Sequence, residues 1–518
     1  MADITKGVRA FTVGTVISRV FGLLRESVFA FLYGAGRSTD AFVAAFRIPN
    51  LLRDLFAETA LSAAFVPILT AERQKSKEQQ NLLASNVFNI LLIVVGLIVA
   101  LGIVLVPYLV KLIAFGFGDI PNKQALTASL AAIMFPFLLF VALAAWAMGY
   151  LNTEREFFFP SVAPAFFNII SIAIPLLSYT HFLRQGIDPI YAMAYGVLIG
   201  GLMQFLIQVP ILFSKGFHYK LYVNFKDPSL HRILVLFVPV ALGLAASRIN
   251  VAVDTFLISF LEERSMTWLN YAFRIMHLPL GLFGIAVGTV ALPTISKYVV
   301  EEKFDEAKST FFDSLQLVFF LTITTSIILA FLSQPITRLI YERGRFTSFD
   351  TYATTQALIL YIIGVPFIAG IRNVAAVFYA YRDAKTPMYA SFISVGLHVI
   401  ISLGFMRIIG FRAFPLATTI ASFVNLAILM RKLPSKIGQF ELSLLVDYFV
   451  RLVIAAIIAG FAAILLHRLL INFLDYSFAT RIMNLGISGI TASLVCYVVC
   501  LMLGVTEAKD YIRRLFRK

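Results

Sequence analysis

Only two cysteines and two tryptophans occur in the 518 residues, and charged side chains make up just 14% of them. Two cysteines are too few to staple a small secreted domain. So little charge, beside 60% hydrophobic residues and a mean hydropathy of +0.87, excludes intrinsic disorder and argues strongly against a large soluble enzyme, in which charged residues run near about 25%. No GxxxxGK[ST] loop, HExxH pair or C-x-x-C is present. Any transport therefore draws on an ion gradient, the membrane potential or the substrate's own gradient, and no resident cofactor is called for. Acidic residues are also scarce, 28 against 43 Lys and Arg, for a net charge of +15. In a soluble protein that excess would raise nucleic acid as a partner. Here it reads as Lys and Arg gathered in cytoplasmic loops, with no nucleic-acid role. Lys6, Arg9 and Arg19 interrupt the N-terminal apolar stretch, so no cleavable signal peptide is expected.

What is present in abundance is apolar sequence. About 20 mostly apolar residues span a membrane, and about 14 such segments can be read. They cover 8–33, 38–70, 86–114, 125–151, 158–180, 189–214, 232–261, 267–296, 309–332, 351–381, 387–408, 413–431, 447–471 and 480–505. The connections are short, and none is long enough to hold a soluble domain. The even-numbered connections carry Lys75, Lys77, Lys215, Lys220, Lys226, Lys303, Arg382, Lys385, Lys432 and Lys436, and the C-terminal tail adds five more cations. This side has about twice the Lys and Arg of the other, which places both termini in the cytoplasm. The fold class is thus an all-α polytopic membrane protein.

The two halves echo one another. Ser18-Arg19, Ala45-Phe46-Arg47-Ile48 and Pro67 recur in order as Ser247-Arg248, Ala272-Phe273-Arg274-Ile275 and Pro293. A basic residue followed by proline recurs too, in Arg155…Pro160 and Lys385…Pro387. The offset corresponds to six spans, an even number, so the halves run in the same direction. Parallel repeats build two lobes around a midplane cavity and transport by rocking. The reading is an N-lobe over 1–230, a C-lobe over 231–436, and two additional spans with a basic tail over 437–518.

An ionisable group inside a span is costly and reads as functional by default. The first span carries Arg19, Arg25 and Glu26; mutual neutralisation of Arg25 and Glu26 is the plain alternative. In the second, Asp40, Arg47, Asn50, Asp54 and Glu58 fall within about 80° of arc at 100° per residue, the wall of a wet cavity or an ion-paired contact, while Arg53 points elsewhere. Arg274 and His277 share a face in the eighth span. Asp254 lies mid-span in the seventh as an ion site, a proton site or the partner of an arginine such as Arg248. An arginine-dominated cavity suits an anionic, phosphate-bearing substrate, because guanidinium pairs bidentately with phosphate oxygens and stays charged. Cys496 and Cys500, and the small-xxx-small patterns at 196–200 and 284–288, read as helix packing.

The stretches ISRVFGLLRE (17–26), GAGRSTDAFVAAFRIPNLLRDLFAE (34–58) and AFVPIL (64–69), with YAFRIMHLPLGLFGIAVGTVALP (271–293) and RDAKTP (382–387), resemble the MurJ/MviN family of lipid II flippases. The resemblance covers essentially the whole chain. It implies the fold of the multidrug/oligosaccharidyl-lipid/polysaccharide exporter superfamily: two six-helix lobes plus two helices. It implies movement of the undecaprenyl-pyrophosphate-linked peptidoglycan precursor from the inner to the outer leaflet of the bacterial cytoplasmic membrane. The family's cavity arginines match Arg19, Arg25, Arg53 and Arg274, and its other substrate-site positions match Ser18, Asp40, Asn50 and Glu58. Phe273 stands where an Asp is common and His277 where an acidic or amide residue often follows. Some members bind sodium, with Asp254 as the matching position; proton or potential coupling are the alternatives. Lipid II, membrane lipids and cell-wall synthesis or division proteins are the implied partners. Another lipid-linked oligosaccharide, or a drug in the same superfamily, is the rival cargo, and a scaffold or membrane enzyme the rival class.

Overall fold

The computed structural model describes residues 2–56, 59–472 and 477–505, without the side chains of 2–10, 54–56, 59–60, 63, 240, 242–248, 282 and 284–290. Its first helices are α1 (Ala2–Tyr33), α2 (Arg37–Phe56), α3 (Thr59–Lys75), α4 (Lys77–Ile113), α5 (Lys123–Met134), α6 (Phe137–Thr153), α7 (Phe158–Arg184), α8 (Ile190–Leu206) and α9 (Val209–Ser214). There follow α10 (Pro228–Ile258), α11 (Ser265–Pro279), α12 (Ile285–Val300), α13 (Phe304–Phe331), α14 (Ser333–Tyr341), α15 (Ser348–Ala380), α16 (Lys385–Ile409), α17 (Ala413–Lys432), α18 (Pro434–Ile437), α19 (Leu442–Ile471) and α20 (Phe478–Met502). No strand occurs among the described residues.

The described part of every expected span is helical, and three are built of pieces. The segment 38–70 holds α2 and α3 on either side of two residues that are not described; 125–151 breaks at Pro136 between α5 and α6; 189–214 is α8 followed by α9, which has a proline in its first turn. The segment 267–296 passes from α11 through a π-helical turn at Leu280–Gly284 into α12, just after Pro279 has removed a backbone donor. Nine helical stretches among the described residues are long and apolar enough to cross a membrane. Neither α1 nor α2 is among them, and both carry Arg and acidic residues within the helix.

Chain contacts group the molecule into two compact units, one of 1–267 with 343–346, the other of 268–342 with 347–518. In the first unit α1 lies along α7, and α7 along α8. Glycines permit this approach. A Cβ on Gly14 would stand 2.0 Å from the Ser161 hydroxyl, and one on Gly200 would stand 2.8 Å from the Phe167 carbonyl oxygen. The 196–200 pattern thus serves close packing; the side chains of 284–288 lie outside the described residues. The chain between α9 and α10 runs back along the start of α4, where buried amides hold it. Asn81 donates to Gly216, Asn86 to Asn224 and Asn89 to both Lys220 and Tyr222, all at carbonyl oxygens, while Ser85 accepts from the Lys220 backbone.

In the second unit, α13, α15, α19 and α20 enclose a core that includes Phe311, Leu315, Phe319, Phe378 and Leu452. Helix α19 offers a face of Ala455, Ala456, Ala459, Gly460 and Ala463, small enough for backbone-to-backbone approach. Cys496 and Cys500 are buried in the same core.

Two of the helix ends share one backbone geometry. Arg155 and Arg382 both adopt left-handed φ, 59° and 57°, unusual for residues other than glycine. After each, the next amide reaches back five residues, Glu156 to Leu151 and Asp383 to Phe378. The same helix-ending turn thus precedes α7 and α16.

Candidate functional site

The candidate residues of the first unit sit on α1, α2 and α10. Arg19 is exposed on α1 and makes no hydrogen bond or ion pair with the described residues; the Ser18 carbonyl accepts from Asn168 Nδ2 on α7 at 3.2 Å. Arg25 Nη2 lies 2.7 Å from Glu26 Oε1, and its guanidinium rests 5.2 Å above the Phe167 ring. Mutual neutralisation therefore does occur, although Arg25 keeps part of its surface open.

The polar stripe of α2 divides. Asp40, 1% exposed, is not on an open wall. Its Oδ2 meets Lys123 Nζ at 3.2 Å and the Arg264 amide at 2.7 Å, and its Oδ1 accepts from the Thr267 amide and hydroxyl at 3.0 and 2.6 Å. Lys123 is equally buried and lies over the Phe117 ring at 4.1 Å. This carboxylate ties α2 to α5 and to the connection leading into α11. Arg47 Nη1 donates to Thr255 Oγ1 of α10 at 2.8 Å. The Asn50 amide oxygen is buried without a hydrogen-bond partner among the described residues. Arg53 is half-buried on the last turn of α2. The side chain of Asp54 and all of Glu58 lie outside the described residues. Asp254 is half-buried on α10, four residues after Asn250, whose amide oxygen is also buried without a hydrogen-bond partner. Its suggested partner Arg248 has no described side chain.

In the second unit Arg274 and His277 are both exposed on α11. His277 Nδ1 lies 3.0 Å from the Phe273 carbonyl. A carbonyl only accepts, so Nδ1 carries the proton. The Phe273 ring lies tilted against this imidazole, with centroids 4.0 Å apart and 43° between the ring planes. An apolar cavity of about 300 Å³ lies among α13, α15 and α19, lined by Ile323, Ile327, Ile362, Pro366, Phe449 and Val453.

Sequence reading missed Lys123, Thr255 and Thr267, each of which partners a charge inside a helix. It also missed the cluster around Glu154, at the end of α6. This carboxylate takes Lys77 at 2.7 Å, Arg73 at 2.9 Å and Gln80 at 2.8 Å. Burial pushes its pKa up, but Lys77, Gln80 and Arg73 outweigh it and hold the carboxyl below its ordinary value. At the matching turn before α16, Asp383 is pulled down to about 2, chiefly by the Thr386 amide, against burial and with help from the Thr386 hydroxyl and Lys436. No group of three or more His, Cys, Asp and Glu among the described residues is placed to hold a metal ion.

A family model described as "Lipid II flippase MurJ" matches residues 29–484. A probable lipid II flippase MurJ of Vibrio cholerae is 33% identical over 507 residues, covering 96% of this chain and 95% of that one. The lipid II flippase MurJ of Burkholderia cenocepacia is 33% identical, with 89% of each chain covered. Among solved structures, a lipid II flippase MurJ in an inward closed conformation superposes with a TM-score of 0.76 at 28% identity, over 97% of this chain and 99% of that one. An inward-facing MATE-family multidrug transporter superposes at 0.59 with 13% identity over 83% of this chain and 98% of its own, a likeness of fold alone.

Proposed function

Because the chain belongs to the MurJ family of lipid II flippases, we infer that it carries lipid II, the undecaprenyl-pyrophosphate-linked disaccharide-peptide, from the inner to the outer leaflet of the bacterial inner membrane. Coverage carries this reading: one curated relative matches 96% of the chain, so the activity belongs to the whole molecule. The chain is a multi-pass transporter and not an enzyme, and lacking an ATP-binding loop it draws on an ion gradient, the membrane potential or the substrate's own gradient.

The site assignment is our proposal. Arg19, Arg25 and Arg53 on the first unit and Arg274 on the second each engage the diphosphate and adjoining sugar at some stage of alternating access. Guanidinium forks suit phosphate oxygens and remain charged in a low dielectric. The exposure of Arg19 and Arg274 supports this, since a group that meets substrate must be reachable. Arg47, Asn50, Ser18, Glu58 and His277 complete the proposed lining, and Asp40 positions α2 from behind it. The polyprenyl tail stays in lipid or in apolar surface formed by the last two spans. Asp254 is the proposed ion-coupling group, for sodium or protons. Both termini face the cytoplasm. The lobes 1–230 and 231–436 are a division by repeat, distinct from the division by contact at Thr267. Enzymes that consume lipid II, and division proteins, are natural neighbours of such a flippase.

The test is complementation. A bacterium depleted of its resident lipid II flippase is given this chain, and growth is scored together with outer-leaflet lipid II. Rescue by the wild type and its failure in Arg19→Ala and Arg274→Ala at matched membrane levels is the expected result. Rescue by both variants would remove those arginines from the site, and no rescue by a well-inserted wild type would move the cargo to another lipid-linked saccharide.

A further inference from the structure

A second, separate cavity opens in the second unit, where α14 meets the end of α19 and the start of α20. It measures about 220 Å³. Its floor is apolar, made by Pro335, Leu339, Ile464, Ile471 and Leu485, and its polar lining includes three arginines, Arg338, Arg468 and Arg481, with His467. Nothing in the flipping scheme above uses these groups.

The polar side is built and held. His467 Nδ1 lies 3.0 Å from Asn484 Oδ1, Asn484 Nδ2 donates to the His467 carbonyl at 3.1 Å, and Ser488 donates to Asn484 Oδ1 at 3.2 Å. His467, Asn484 and Ser488 are all buried, so this network clamps α19 to α20 behind the cavity and fixes where the imidazole sits. Since Asn484 Oδ1 accepts, Nδ1 of His467 carries the proton, leaving Nε2 for a further partner. Arg338 is satisfied by Glu342, Nε to Oε1 at 2.9 Å. Arg468 differs: it makes no ion pair or hydrogen bond with any described residue. With Glu342 paired to Arg338, the lining itself holds three arginines and no acidic residue.

The surroundings say what kind of anion fits. Phe461, Leu465 and Leu469 on α19, and Phe478, Ile482 and Met483 on α20, are exposed large apolar side chains of the same two helices. In a membrane-spanning helix pair such surface meets acyl chains, not water. A small inorganic anion would use the guanidinium groups and leave these residues idle. We propose that this cavity is a binding site for a phosphate-bearing anionic lipid, whose headgroup sits on Arg468 and Arg481 and whose chains lie along α19 and α20. In the proposed orientation it opens toward the outer leaflet. Two lipids share the required chemistry, a bulk anionic phospholipid and a polyprenyl diphosphate.

Native mass spectrometry of the detergent-purified full chain tests this, with phosphatidylglycerol, undecaprenyl diphosphate, phosphatidylcholine and inorganic pyrophosphate as probes. Wild type, Arg468→Gln, Arg468→Lys, Arg481→Gln and, as control, Arg407→Gln on α16 are compared. The expected result is retention of at least one of the two anionic lipids, weakened about tenfold or more in both glutamine variants, kept in Arg468→Lys and Arg407→Gln, and not competed by pyrophosphate. Which anionic lipid shows the loss identifies the source. Equal retention in wild type and both glutamine variants overturns the proposal, as does equal loss in Arg407→Gln or competition by pyrophosphate alone. Arg468 is exposed, so its variants fold, and a thermal melt confirms it. The readout is binding without transport, so its failure leaves the flipping assignment untouched, and the reverse also holds.

Discussion

Lys123 and Asp40 are each about 1% exposed, and each offsets the other's buried charge, with the Arg264 and Thr267 donors completing the carboxylate's shell. Removing one partner of a buried pair leaves an uncompensated charge and typically costs about 3–5 kcal/mol. Asp40→Ala should therefore lower the thermal midpoint of the purified protein sharply, and Asp40→Asn combined with Lys123→Met should recover much of the loss. If Asp40→Ala melted like the wild type, the pair would not be holding α2. Asp383 makes a prediction in pH. Its folded pKa of about 2 lies below the ordinary 3.8, so its contribution to stability is complete above pH 3.8 and is lost as pH falls toward 2. Between those values the wild type should lose stability that Asp383→Asn, lacking the group, does not lose further; parallel melts of the two proteins across that window would contradict this.

Helices carry the second set of expectations. Gly14 allows α1 to lie on α7, so Gly14→Leu should reduce folded yield, while Gly96→Ala, with nothing near its Cβ, should be neutral or slightly stabilising, by up to about 1 kcal/mol as in ordinary helices. Detergent-stable yield by size-exclusion chromatography distinguishes the two, and equal yields would mean that the α1–α7 approach can open at little cost. Elements were also where the sequence spoke most clearly. Apolar runs of span length announced α4, α7, α13 and α19, and their even total suggested same-side termini. The break at Pro136 went unread because both flanks are strongly apolar and hydropathy has no term for a kink. Among site residues, Arg19, Arg25 and Arg47 were visible because an arginine inside a span is costly and reads as functional by default. Lys123 was not, because it stands just before an apolar run and looks like a loop residue; its partner lies 83 positions away. The periodicity of α2 placed Asp40 and Arg47 on one arc correctly, yet arc position alone does not tell open space from the packed surface of α5.

At the scale of the molecule, a net charge of +15 is a statement about sidedness. With the buried cysteines replaced as Cys496→Ser and Cys500→Ser, single exposed cysteines report topology. Gln185→Cys should react with a membrane-impermeant maleimide in intact cells, and Lys220→Cys should react only after permeabilisation. The opposite pattern would invert the orientation and move the arginine cavity near α14 to the inner leaflet. A parallel repeat requires the turns at Arg155 and Arg382 to label from the same side.

The amide ladder along α4 has a consequence in time. Asn81, Ser85, Asn86 and Asn89 leave the ribosome roughly 130 residues before the backbone groups they will hold, an interval on the order of 10 s at usual synthesis rates. Throughout that wait four polar side chains lack their final partners. They occupy the first turns of α4, at the cytoplasmic mouth in the proposed orientation, where water can serve until the later strap arrives. The early helix is thus inserted unfinished by design of its position, and the first unit closes only when the strap before α10 has been made.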